Sequence, residues 1–310
     1  MKPPVSLFHM ATTLPDQLRR RVLELRRTHS LREVAEMTAL PLGTVKTLCS
    51  RSGAFRDNPK HRELFTLPPI KSSTGTDLAV PELPPQEVVT GDIEVDALLW
   101  LRSVIRTGQA ALIEKAMIAA DRIKTPLADL EKRYTKHMIA AHPGSFGAAM
   151  ASFGFADLKG LAKSSIEKLG KQQEARARFG GDLLFADTPA EQFCADALDG
   201  VDRGNGWTFD KAEVDVRFAE CADLLPHTLG DCLHELVYWD QLCRLRTAVE
   251  GVGAGDPSPE ASAREDFVFR CLARIRARSK DEAIAVFHYL AKSERQDDDE
   301  ANDILLNLIG

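Results

Sequence analysis

Aromatic residues make up only 6% of this 310-residue chain: three tryptophans, three tyrosines and fourteen phenylalanines. Runs of β-branched residues are nearly absent as well. Sheets draw on both kinds of side chain, so an extensive β-architecture is disfavoured. No stretch approaches the ~18 consecutive apolar residues needed to cross a bilayer, and no membrane span is expected. The apolar patch Val5–Met10, after Lys2, is too short for a signal-peptide core, which makes the expected location cytoplasmic. Cys49, Cys194, Cys221, Cys232, Cys243 and Cys271 contain no CxxC pair. In a reducing compartment they read as buried thiols. Glycine-rich phosphate loops, GxSxG elbows and HExxH motifs are missing too. No catalytic residue, metal site or cofactor is assigned, and no enzymatic role is expected.

What is present favours helix. Apolar residues make up 44% of the chain, enough for sizeable cores, and Ala, Leu, Arg, Glu and Lys dominate. The expected fold class is all-α. Charge is unevenly spread. Residues 1–72 hold 13 Lys/Arg against 6 Asp/Glu, a net of +7, whereas residues 181–310 hold 13 against 27, a net of −14. Such polarity speaks of partners rather than of fold.

The most informative stretch is Leu31–Arg51, LREVAEMTALPLGTVKTLCSR. Val34, Leu40, Val45 and Leu48 fall where two short helices would bury against each other, with the small Ala35 at their crossing. Thr38-Ala39-Leu40-Pro41 forms a short turn, and proline suits the start of a second helix. This stretch resembles a helix-turn-helix, and Pro41–Thr47 resembles the recognition-helix opening of bacterial sigma-factor region 4 and of resolvase-type domains. The sequence departs from that pattern at Ala39, where glycine usually supplies a left-handed backbone. The resemblance implies that Gly43, Thr44, Lys46, Thr47, Ser50 and Arg51 face the major groove of double-stranded DNA. Arg26 and Arg27 on a leading helix, with Arg56 beyond the unit, would add phosphate contacts. Arg19, Arg20 and Arg21 extend the same basic surface.

Four parts follow in order. Residues 1–66 form the helix-turn-helix domain and 67–91 a Pro/Ser linker. Residues 92–180 form a helical middle domain and 181–310 an acidic helical C-terminal domain. Within the middle part, Asp92 opens a helix with an apolar stripe from Val95 to Ile105, and Gly108 breaks it. Leu112–Ile123 continues on a second helix. Thr125-Pro126 reads as an N-cap with proline at the first helical position, on a helix reaching His142. Further helices are expected over Ser145–Phe153, Ala156–Lys171, Pro189–Leu198, Phe209–Leu224, Leu229–Val249, Glu260–Arg278, Lys280–Lys292 and Glu300–Leu308.

Other candidates are weaker. Cys221, Cys232 and Cys243 recur every 11 residues, but Pro226 splits the segment and such positions on one helix lie about 16 Å apart. Phe155–Leu169 faintly resembles a helix-hairpin-helix, with Lys159, Lys163, Lys168 and Lys171 toward phosphate, but Ala162 stands in place of the second glycine. The plain alternative is an amphipathic helix with a solvated lysine face. His234-Glu235 lacks the second histidine of a zinc motif. Asp297–Glu300 reads as a solvated helix start.

The sequence therefore suggests a sequence-specific DNA-binding protein, a bacterial transcriptional regulator that dimerises through its helical body. The stripes Val95–Ile105 and Leu229–Val249 are the places for a seam. The acidic C-terminal part, with Asp297–Glu300 and Ala301–Ile309 exposed, would meet a protein partner. The rival reading is a helical protein-interaction or assembly factor, or a partition or replication accessory protein of a plasmid or phage.

Overall fold

The computed structural model describes residues 16–52, 55–71, 82–145, 147, 150, 152–180, 183–204, 208–251 and 253–309. Among them are fourteen α-helices and no strand, only an isolated bridge between Arg203 and Phe209. The fold class is all-α. No described helix is long and apolar enough to cross a membrane. The patch Val5–Met10 lies outside the described residues.

The chain divides into two compact units that are not contiguous in sequence. The first gathers residues 1–67, 187–242 and 256–310; the second gathers 68–186 and 243–255.

The first unit opens with α1 (Asp16–Thr28), α2 (Leu31–Thr38), α3 (Leu42–Ser52) and α4 (Pro59–Leu64). Helices α1, α2 and α3 pack on one another. Their core holds Val22, Leu25, Val34, Val45 and Cys49, flanked by half-buried Ala35, Leu40 and Leu48. The later elements are α9 (Pro189–Ala197), α10 (Lys211–Glu220), α11 (Leu229–Glu250, to Leu242 in this unit), α12 (Pro259–Arg274), α13 (Lys280–Lys292) and α14 (Ala301–Ile309). Helix α12 is central, touching α9, α10 and α14. Phe218, Leu236, Val268, Leu272, Val286 and Ile304 share its core.

The second unit holds α5 (Ile93–Arg106), α6 (Ala110–Ala120), α7 (Leu127–Ala141) and α8 (Leu158–Phe179), with the last turns of α11. Asp92 caps α5 by accepting from the Glu94 and Val95 amides. The expected stripe is core: Val95, Leu98, Leu101, Val104 and Ile105 are buried with Ile113, Ala116, Leu130 and Leu158. Gly108 adopts φ +72° at the α5–α6 corner, and a Cβ there would come within 2.6 Å of the Ser165 carbonyl. Only glycine satisfies both demands.

Several expectations are corrected. Pro126, not Thr125, occupies the N-cap of α7; the Thr125 hydroxyl instead donates to Glu94. Residues 158–179 form one unbroken helix, and the Gly160 amide is simply capped by Asp157 at 2.8 Å. The glycine turn of a helix-hairpin-helix is therefore missing, and the lysines ride on α8. The helix expected over Ser145–Phe153 includes positions outside the described residues. Helix α12 stops at Arg274 rather than Arg278, because Asn307 donates to the carbonyls of Leu272 and Ile275 and closes its end. Both ends of the expected linker are tied down: the Lys71 amide donates to Ala177, Arg178 to the Pro68 carbonyl, and Trp100 to the Pro84 carbonyl. Residues 72–81 lie outside the described residues. Much of the two stripes expected to hold a dimer seam is taken up by this chain's own core: Val95, Leu98, Leu101, Val104 and Ile105 are buried, as are Leu229, Leu236 and Leu245, while Val237 and Val249 stay exposed. The final helix is not an exposed arm either: Ala301 and Ile304 are buried, although Leu306 and Ile309 remain exposed.

Candidate nucleic-acid interface

Helix α2 is fixed at both ends. Ser30 and Glu33 form a capping box, with Ser30 Oγ accepting from the Glu33 amide at 3.3 Å and Glu33 Oε2 from the Ser30 amide at 2.6 Å. Reciprocal caps satisfy two amides that a helix start leaves open. At the other end Ala39 is left-handed, φ 53° and ψ 27°, and the Ala39 and Leu40 amides return to Glu36 and Ala35. That closure turns the chain within three residues. An alanine in this conformation costs about 1–2 kcal/mol. The Pro41 carbonyl then accepts from Thr44 and Val45, so α3 begins at Leu42.

Burial of Val45 and Cys49 fixes the rotation of α3. Gly43, Lys46, Thr47 and Ser50, at i, i+3, i+4 and i+7, consequently share one exposed face, with exposed Arg51 beside it. Thr44 is half-buried at its edge. No atom would meet a Cβ at Gly43, leaving the backbone of the first turn open. The exposed Thr47 donates its hydroxyl to the Gly43 carbonyl at 2.9 Å. Lys46 and Arg51 have no ion-pair partner among the described residues. Arg19, Arg20, Arg21 and Arg56 are exposed.

Arg26 differs. It is half-buried, donates to the His29 carbonyl at 2.9 Å and lies 5.5 Å over the Phe55 ring, in the wall of a cavity rather than on the outer face of α3. The side chain of Arg27 lies outside the described residues.

A second constellation escaped the sequence. Asn58 caps α4 through the Lys60 and His61 amides, while its own amides reach the Asp223 and Leu225 carbonyls and Asp231. His61 Nε2 then meets Glu235 Oε2 at 2.7 Å, and Glu235 binds Arg264 through both oxygens, all three side chains being fully buried. The Arg264 guanidinium lies 5.0–5.5 Å from the rings of Phe65, Phe193, Phe218 and Phe267. Burial pushes the Glu235 carboxyl up, but the Arg264 charge and the hydrogen bonds from His61 and Arg264 outweigh it and hold it below the usual range. This network fastens α4 to α11 and α12. It is enclosed, so no substrate reaches it. His234 instead bonds the Arg62 carbonyl and Thr66. Cys221 ends α10, ahead of Pro226, and does not share a helix with Cys232 and Cys243.

Compared with known protein families, characterised proteins and solved structures, the chain matches none.

Proposed function

We propose that this protein is a non-enzymatic, sequence-specific DNA-binding regulator of transcription that reads the major groove with α3. One observation carries the reading: Gly43, Lys46, Thr47 and Ser50 share the outer face of a helix whose inner face is buried, and among the described residues neither Lys46 nor Arg51 is neutralised by a carboxylate. Lys46 and Arg51 suit guanine O6/N7 or phosphate, and Thr47 and Thr44 suit bases or thymine methyls. Exposed Arg19, Arg20, Arg21 and Arg56 add phosphate contacts on the flanks. The acidic C-terminal part, net −14 over residues 181–310, is repelled by phosphate and serves protein contacts, including those of a homodimer. A single short recognition helix reads few base pairs, so paired half-sites would supply the affinity.

Selection of duplexes from a randomised library with the intact chain tests this reading. The expected product is an enriched motif with two-fold symmetry, bound with an affinity that falls steeply as salt rises. No enrichment, together with salt-insensitive binding, would favour the rival assembly-factor reading.

A further inference from the structure

Helix α12 buries Arg264, Phe267, Val268, Cys271 and Leu272 on one side. Its other side carries Pro259, Ser262, Ala263, Asp266 and Arg270, which helical spacing brings into one line. Lys211 and Val214 of α10 stand with this line around a cavity of about 150 Å³ in the first unit, and Thr208 and Phe209 complete its wall. Ser262 and Ala263 are small, which leaves the hollow open between two helices that otherwise pack on each other. Phe209 is fastened in place. Its backbone bridges to Arg203, whose guanidinium lies 5.3 Å over the Phe209 ring and pairs with Glu260 in the first turn of α12. The polar groups of the wall have both signs. Arg270 Nη2 donates to Asp215 at 2.6 Å, while its buried Nε has no acceptor among the described residues. Lys211 reaches Glu300 at 3.2 Å and Asp266 faces Arg295 at 3.6 Å, both on the exposed rim. Lys211 and Asp266 therefore line one cavity without pairing with each other.

We propose that this cavity is a binding site for a small zwitterion, an α-amino acid with a short branched apolar side chain. Its carboxylate faces Arg270 and Lys211, and its ammonium faces Asp266. Both head groups then make charge-assisted hydrogen bonds, and the carboxylate supplies the acceptor that Arg270 Nε lacks. The branched chain lies against Phe209 and Val214. A plain anion would leave Asp266 opposed to it, and a plain cation would face Arg270 and Lys211; a zwitterion satisfies both walls. The size fits, because a cavity of about 150 Å³ admits benzene, close in scale to an amino acid of about eight heavy atoms. Binding at this cavity is independent of any affinity for DNA.

Isothermal titration of the full chain with L-valine, isovalerate, isobutylamine and glycine tests the site. The last three lack, in turn, the ammonium, the carboxylate and the branched chain of the first. L-valine should bind at least tenfold more tightly than each of them. Asp266→Asn should weaken L-valine about tenfold and leave isovalerate within about twofold. Ala263→Leu, which fills the hollow, should abolish L-valine binding with unchanged far-ultraviolet dichroism. If Ala263→Leu unfolds, Asp266→Asn decides the matter, since Asp266 is 60% exposed and its loss leaves the core intact. No binding of L-valine at millimolar concentration, binding no tighter than that of any one fragment, or affinity untouched by Asp266→Asn would overturn the proposal.

Discussion

Glu235 and Arg264 form a two-pronged ion pair, Nε to Oε1 at 2.8 Å and Nη2 to Oε2 at 2.9 Å, with neither side chain exposed. Removing one partner strands the other charge in a dry core. Arg264→Met should therefore cost about 3–5 kcal/mol, read as a fall in the urea-unfolding free energy. A loss below about 1 kcal/mol would show that water or a rearranged side chain rescues Glu235.

The same pair sets a pH dependence. The folded-state pKa of Glu235 is depressed, so its stabilising contribution is complete above the unfolded carboxyl value of about 4.3 and is lost as the pH falls through the folded value. Wild-type stability should drop on the acid side of about pH 4, and Glu235→Gln should drop less steeply from its lower starting point. Unfolding midpoints across pH 3–7 measure both slopes; parallel slopes would mean that other carboxylates carry the acid transition.

Much of the helical framework was legible from local pattern. Lys280–Lys292 forms with the bounds expected, capped by Ser279, and the face of α3 followed from burial of Val45. What was not legible came from partners distant in the chain. His61 meets Glu235 174 residues away, and a charged residue at helical spacing, like Arg264, reads as solvated until the phenylalanines around it are known. Helix α12 overran in the sequence reading because its stop is made by Asn307 from another helix. One local signal was available: Arg274, Arg276 and Arg278 alternate, a period of two that suits extended backbone better than helix.

The turn before α3 carries a correctable strain. Ala39 is exposed and left-handed, so Ala39→Gly should stabilise the protein by about 0.5–1 kcal/mol, the relief outweighing glycine's extra unfolded-state entropy. Ala39→Val should destabilise it. Thermal unfolding compares the three; a destabilised glycine variant would mean that the turn is not left-handed.

Cysteine reactivity reports the core independently. Burial raises the thiol pKa values of Cys194 and Cys232, and that of Cys271 to about 11. Iodoacetamide at about pH 8 attacks the thiolate, so these three should stay unlabelled in the native protein while half-buried Cys221 and Cys243 react first. Mass spectrometry of the digested protein resolves each site. Early labelling of Cys232 would contradict the packing of α11 against α12.

The central claim is that the outer face of α3 reads DNA, and the Lys46→Ala/Arg51→Ala double variant of the full chain tests it most directly. Each base contact of this kind is worth roughly 1–3 kcal/mol, so fluorescence anisotropy with a selected duplex should show specific affinity reduced at least tenfold, with non-specific affinity nearly kept and the thermal midpoint unchanged. A folded double variant that binds the selected duplex as tightly as the wild type would contradict the assignment of α3 as the recognition helix.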